Sequence, residues 1–208
     1  MSFIDGLIIE CDIALKTLSF KKSGTDRPYP SDTKTLNLTK NEKNLSAELM
    51  RVNLAGEVAA QALYRGQAMV CKDKDVKAHL IQAGDEETDH LIWCKKRLED
   101  LDGKPSILNP IWYAGSFAIG AFFGSMGEKT SLGFVEETEK QVVKHLERHL
   151  DRISPNDSET INILKTMRAD EDEHAQEAAE NGSESLSEPT KKFMSLTAKL
   201  MTSSSAYI

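Results

Sequence analysis

Cysteine is scarce in this chain: Cys11, Cys71 and Cys94 are the only three in 208 residues, an odd number with no C-x-x-C pair and no zinc-like spacing. A disulfide-stapled scaffold is thereby disfavoured. The expected state is free thiols in a reducing compartment, each a small buried apolar side chain rather than a metal ligand. The chain also lacks any cluster of lysine and arginine. With a formal net charge of −7 and a pI near 5.3, it offers no basic face to a nucleic acid backbone. No Gly-x-Gly-x-x-Gly loop is present to cradle the phosphates of a nicotinamide or flavin cofactor. The opening Met1-Ser2-Phe3-Ile4-Asp5-Gly6 has no basic n-region, no adequate apolar h-region and no small-residue cleavage site, so no export signal is expected and a cytoplasmic protein is the simplest expectation. What remains, 39% hydrophobic and 28% charged residues, suits one globular domain with a sizeable core.

Against this background one motif occurs twice, as Glu87-Thr88-Asp89-His90 and Glu171-Asp172-Glu173-His174. Residues three apart on an α-helix project from one face, so each pair can offer a carboxylate and an imidazole to a single metal ion. A four-helix bundle completes such a site with one inward Glu from each of its two other helices. Glu57 and Glu139 stand at the right places, 30 residues before Glu87 and 32 before Glu171 (87 − 57 and 171 − 139), so the chain reads as two similar halves.

Hydrophobic periodicity sorts the crowded acids. A short amphipathic helix is expected over 2–19, from Phe3, Ile4, Leu7, Ile8, Cys11, Ala14, Leu15 and Leu18, followed by a loop or linker over 21–39. Thr39 and Glu42 can form a capping box for a helix running to about residue 71, apolar on more than one side and therefore internal, with Glu57 between Leu54 and Tyr64. The helix over 74–101 has the stripe Val76, Leu80, Ala83, Glu87, His90, Cys94, Leu98 and Leu101, which includes Glu87 and His90 and leaves Glu86 and Asp89 off it. The stripe over 129–153 takes in Leu132, Val135, Glu139, Val142 and Leu146, with Glu137 off it and Glu136 at its margin. A last bundle helix, expected to begin near Ser154-Pro155 with proline in its first turn, has Leu164, Met167, Glu171, His174 and Ala178 on one face. Four buried carboxylates and two imidazoles in one core require cations to neutralise them. A Glu4His2 set around two ions with open positions matches a carboxylate-bridged di-iron centre that activates O2, and di-manganese suits the same ligands. In this geometry Glu87 and Glu171 bridge, Glu57 and Glu139 are terminal, and His90 and His174 serve one ion each.

Between the halves, residues 105–127 contain no charged residue and form the most hydrophobic part of the chain. Pro110 and the glycines at 115, 120, 124 and 127 argue against a continuous membrane span. With Trp112 and Tyr113 placed as interfacial anchors, the expectation is a helix lying in one leaflet or lining an apolar ligand tunnel; the alternative is a crossover helix buried in the bundle or at a subunit interface. A polar loop over 180–188 and a short amphipathic helix carrying Phe193, Leu196, Leu200 and Met201 close the chain.

A set of motifs resembles one family. They are Arg51-Val-Asn-Leu-Ala-Gly-Glu57-Val-Ala-Ala, Tyr64-x-Gly66-Gln67, Glu87-x-x-His90-Leu91, Asn109-Pro110-x-Trp112 leading into Phe117-Ala-Ile-Gly120-Ala121, Glu139 through His145-Leu146, and Arg168-x-Asp170-Glu171-x-x-His174. Together, over about residues 46–180, they resemble the demethoxyubiquinone hydroxylases of ubiquinone biosynthesis, within the ferritin-like di-iron proteins. Asn53 departs from the Asp that many relatives carry. The resemblance implies an all-α, ferritin-like four-helix bundle with extra hydrophobic and amphipathic helices: residues 1–40 as N-terminal helix and linker, 41–180 as di-iron bundle with a membrane-docking segment at 105–127, and 181–208 as polar loop and C-terminal helix.

It also implies a monooxygenase, a 3-demethoxyubiquinol 3-hydroxylase, that uses two iron ions and O2 to hydroxylate the ring of a polyprenylated benzoquinol. Electrons come from the quinol, from NADH bound by other means, or from a partner. Such an enzyme is expected on the cytoplasmic side of the bacterial inner membrane as a peripheral protein with no nucleic acid partner; association with other ubiquinone-biosynthesis proteins and a homo-oligomer are left open by the sequence. Tyr64 and His145 are candidates to line the substrate pocket or relay protons. The competing readings are a ferritin- or rubrerythrin-like protein that stores iron or reduces peroxide, a metal-free membrane-binding scaffold, and a di-iron hydroxylase of another substrate such as a modified tRNA base.

Overall fold

The computed structural model describes residues 3–31 and 37–207. Within them the chain is all-helical: α1 (Phe3–Leu18), α2 (Lys40–Val70), α3 (Lys74–Asp100), α4 (Asn109–Ser125), α5 (Glu128–Leu150), α6 (Ser158–Glu180) and α7 (Glu188–Ser205). Phe3's side chain, counted in the first apolar stripe, and residues 32–36 of the expected linker lie outside the described residues.

Local chemistry sets the helix starts. Thr39 and Glu42 close the expected capping box, with Thr39 N donating to Glu42 Oε2 at 2.8 Å and Glu42 N donating to Thr39 Oγ1 at 3.3 Å. Asp73 caps α3 and Ser187 caps α7. One expectation is corrected: Pro155 is not in the first turn of α6. The chain makes a turn first, closed by Asp157 N on Ser154 O at 2.9 Å, and Asp157 then caps a helix that begins at Ser158 by accepting from Thr160 N at 3.1 Å. Asp157 is a strong cap and is held in place by Arg97. That guanidinium is buried, with Nη2 2.7 Å from Asp157 Oδ1, Nη1 2.9 Å from Glu159 Oε2 and Nε donating to Thr160 Oγ1 at 2.9 Å, tying α3 to the start of α6.

Helices α2 and α3 pack as one antiparallel pair and α5 and α6 as the other, the four forming the bundle. Leu54, Leu98, Leu146, Leu164 and Met167, one or more from each helix, meet in a fully buried core, each contributing about 1.5–3 kcal/mol. Outside the four, α1 lies on α2, where Thr17 Oγ1 donates to Gln61 Oε1 at 3.0 Å and Arg65 Nε to Glu10 Oε2 at 2.9 Å.

Helix α4 crosses from the first pair to the second along the side of α2, backbone against backbone. A Cβ on Gly66 would sit 2.2 Å from Phe117 O, and one on Gly120 2.2 Å from Leu63 O, so only glycine allows the approach. Its 17 residues span about 25 Å, and no described helix is long and apolar enough to cross a membrane. The helix is not buried as a crossover: Ile111 and Phe122, each 61% exposed, lie on its outer face. Tyr113, placed in the sequence as an interfacial anchor, turns inward and is 6% exposed, because its ring fills the main core.

The loop or linker expected over 21–39 is, where described, irregular backbone that forms a strap. Residues 21–31 run across α3 and α6, with Lys22 Nζ 3.0 Å from Asp85 Oδ1, Thr25 N donating to Asp89 Oδ1 at 3.0 Å, and Tyr29 Oη donating to Glu159 Oε1 at 3.0 Å.

Candidate metal centre

The bundle brings Glu57 from α2, Glu87 and His90 from α3, Glu139 from α5, and Glu171 and His174 from α6 into one buried cluster, none more than 6% exposed. Glu57, Glu87, His90 and Glu171 each present a ligand atom within 4.8 Å of the others. His90 Nδ1 lies 3.0 Å from Glu87 Oε2, 3.2 Å from Glu171 Oε1 and 3.8 Å from Glu57 Oε2. His174 Nδ1 lies 3.2 Å from Glu87 Oε1 and 3.7 Å from Glu171 Oε2. Glu87 and Glu171 thus each turn one oxygen toward each imidazole. Glu57 stands at the His90 end, and Glu139 stands beside Glu171 and feels the charge of His174.

Three atoms in the cluster, Glu87 Oε1, Glu171 Oε2 and His174 Nδ1, are buried with no hydrogen-bond partner. Buried polar atoms are normally paired, so a convergent set of buried carboxylate and imidazole atoms without hydrogen-bond partners suits a cation position. The electrostatics agree. Burial, with Glu87 and Glu171 beside it, pushes the Glu57 carboxyl well above the usual range, and burial next to Glu171 and Glu87 does the same to Glu139. Desolvation depresses both imidazoles, but the surrounding carboxylates outweigh it: His90 is raised well above its ordinary value and His174 to about 12. Glu87, despite its burial, is lowered by His90 and His174. The metal-free cluster holds its charge together with protons where cations fit.

Both imidazoles present Nδ1 to the cluster and Nε2 to a carboxylate outside it. His90 Nε2 lies 2.8 Å from Asp170 Oδ2, and His174 Nε2 lies 2.9 Å from Glu86 Oε2. A carboxylate on the far nitrogen fixes the tautomer and ring plane and raises the basicity of the ligating nitrogen. Stripe counting leaves Glu86 and Asp89 off the buried face of α3, yet Asp89 is 3% exposed, because the strap covers it. Asp170 and Glu86 each immediately precede a Glu of the cluster in sequence, and that adjacency is the signal the sequence offers.

The cluster opens on a cleft of about 1160 Å³ between α2, α4, α5 and α7. Glu57, Glu139 and Glu171 reach its floor, and Trp112, Ile119, Phe134 and Val142 are among its apolar walls. His145 lines it, with its ring 3.9 Å from that of His149, and burial followed by Arg148 and Arg152 lowers its pKa to about 4. Tyr64 is 1% exposed and stands outside the lining; its hydroxyl donates to Glu139 Oε1 at 2.6 Å. Asn53 also lines the cleft, with Oδ1 buried and unpartnered.

Residues 44–205 match the model of the ubiquinone biosynthesis protein COQ7 family. The chain belongs to that family. Relatives within reach are close over their whole lengths. A protein of Legionella pneumophila strain Lens is 49% identical over 209 residues, covering 100% of this chain and 98% of the relative. One of Francisella philomiragia is 46% identical over 202 residues, covering 97% and 96%, and one of Xanthomonas euvesicatoria pv. vesicatoria is 46% identical over 199 residues, covering 95% and 91%. All three are named 3-demethoxyubiquinol 3-hydroxylase. The COQ7-family relationship favours the hydroxylase reading of the sequence over the iron-storage and scaffold readings.

Proposed function

We propose that this chain is an iron- and O2-dependent 3-demethoxyubiquinol 3-hydroxylase of ubiquinone biosynthesis. The observation that carries the reading is the opening of the Glu/His cluster, through Glu57, Glu139 and Glu171, onto an apolar cleft wide enough for a prenylated ring. Glu57, Glu87, His90, Glu139, Glu171 and His174 would hold two iron ions, with Glu57 and His90 toward one position and Glu139 and His174 toward the other. When bound, the di-iron group supplies reductive activation of O2, one oxygen atom going to the ring carbon and the other to water, with two electrons from a reductant such as NADH or the quinol itself.

The chain's own residues do the rest. Tyr64 holds Glu139 Oε1 and is the nearest hydroxyl able to exchange a proton with it. His145, neutral at physiological pH, is placed in the cleft wall to accept a hydrogen bond from a quinol hydroxyl. Trp112, Ile119 and Phe134 keep water from the reacting ring. Exposed Ile107, Ile111, Phe122 and Met126 on and around α4, with Phe193, Leu196 and Leu200 on α7, support peripheral docking on the cytoplasmic face of the inner membrane, where a polyprenyl substrate resides. The same apolar faces leave room for self-association or for other pathway proteins.

The test is complementation of a ubiquinone-deficient host that accumulates the demethoxy intermediate, read by mass spectrometry. Wild type restores ubiquinone and binds about two irons per chain, while Glu87→Ala and His174→Ala restore none. Folded, iron-loaded protein that leaves the demethoxy intermediate unconverted would refute the substrate assignment.

A further inference from the structure

The two imidazoles of the cluster are supported differently. His90 is held by a charged clamp: Arg27, from the strap, places Nη1 2.8 Å from Asp170 Oδ2 and Nη2 3.0 Å from Oδ1, and Asp170 Oδ2 is in turn 2.8 Å from His90 Nε2. The same guanidinium lies 5.1 Å over the Trp93 ring, which packs 5.3 Å from the His90 ring, so Arg27, Asp170, His90 and Trp93 form a closed circuit of contacts. Two residues earlier the strap is pinned where the backbone N and the hydroxyl of Thr25 both donate to Asp89. His174 has a looser support. Its partner Glu86 is 31% exposed, takes a hydrogen bond from the neutral Gln82 amide at 3.1 Å, and feels the Arg27 charge without the forked contact that Asp170 makes.

We infer that Arg27 is a positioning residue that makes the His90 position of the centre the better organised and tighter of its two metal positions. The inference rests on the two-metal reading above. A bidentate Arg–carboxylate pair is strong and directional, and here it locks a carboxylate that locks a metal-binding imidazole, so less ordering remains for the ion to impose at that half. Glu86, half-buried and held by single hydrogen bonds to His174 and Gln82 rather than by a charged fork, is oriented less tightly, so the His174 half is ordered more by the ion itself.

The experiment uses full-length metal-free protein titrated anaerobically with Co(II), followed by visible absorption and by metal content after desalting. Wild type, Arg27→Ala and Arg27→Lys are compared, alone and in His90→Ala and His174→Ala backgrounds that isolate one position each. Helical circular dichroism checks the fold, and Arg27→Gln replaces Arg27→Ala should the latter fail to fold. The expected result is two Co(II) per wild-type chain in two steps. Arg27→Ala weakens the position left in the His174→Ala background by about ten- to a hundredfold and changes its absorption band, with little effect in the His90→Ala background. Arg27→Lys, which keeps charge but not the fork, recovers part of the loss. Equal weakening in both backgrounds, or none in either, overturns the positioning role while leaving two-metal binding intact. Wild type that takes up fewer than two ions overturns the two-metal reading itself, and the inference with it.

Discussion

Loading this centre with metal should expel protons, and their number is set by the buried groups. Metal ligation requires neutral imidazole and ionised carboxylate. In the metal-free cluster the surrounding carboxylates raise His90 and His174 against desolvation, the latter to about 12, and burial beside like charges raises the Glu57 and Glu139 carboxyls. Glu87 is lowered and already ionised. Two divalent ions therefore displace the imidazolium proton at each position, and with them any proton held by the raised Glu57 and Glu139 carboxyls. Because the metal-free state binds the extra protons, metal affinity rises with pH. The logarithm of each binding constant gains up to roughly two per pH unit while these groups remain protonated. Anaerobic calorimetry in buffers of different ionisation enthalpy measures this directly, since the observed heat plotted against buffer enthalpy has the proton number as its slope. A slope near zero at pH 7, with two ions bound, would show that these four groups are not the ones the metal displaces.

Three further outcomes follow from the rest of the molecule. Gly120→Ala drives a Cβ into the Leu63 carbonyl and forces α4 off α2; the expected loss is about 1–3 kcal/mol, read as a melting temperature lowered by about 2–4 °C per kcal/mol. Arg97→Met removes the buried cation facing Asp157 and Glu159 and costs about 3–5 kcal/mol in denaturant unfolding; a loss below about 1 kcal/mol would mean the network adds little. The folded pKa of His145 is depressed to about 4, below its ordinary 6.5, so the unfolded chain binds the proton more readily between those values. Stability is full above about pH 6.5 and falls as pH drops toward 4, by roughly 3 kcal/mol from this group. His149, its ring packed on that of His145, is lowered further by burial and acts in the same direction, so His145→Gln should make that limb of the pH–stability curve shallower without abolishing it, and an unchanged curve would assign the limb to His149 alone.

The sequence announced the four bundle helices and the six-residue cluster because their periodic stripes included the polar ligands. A Glu on an otherwise apolar face is legible, since burial of charge without a partner is so unfavourable. Asp89, Asp170 and Glu86 were not legible in the same way. Asp89 is buried by the strap over 21–31, whose glycine- and proline-containing sequence has no period to read, and Arg27 meets Asp170 across a separation of 143 residues. Pro155 misled because proline suits a first helical turn, but Asp157 provided the stronger start two residues on. Helix α4 read as hydrophobic from end to end. Which side would face the protein depended on glycines whose purpose appears only when α2 lies against them.

Those glycines have a consequence for changing what the cleft accepts. Side-chain walls can be trimmed or enlarged one residue at a time, whereas the spacing of α2 and α4 is set by main chain meeting main chain at Gly66 and Gly120 and has no smaller substituent to retreat to. That wall is a fixed jamb. Variation in bound-ring size or tail path, whether selected or engineered, has to come from the opposite side, where Phe134 and Val142 on α5 and Met194 and Met201 on α7 face the same space with ordinary, replaceable side chains.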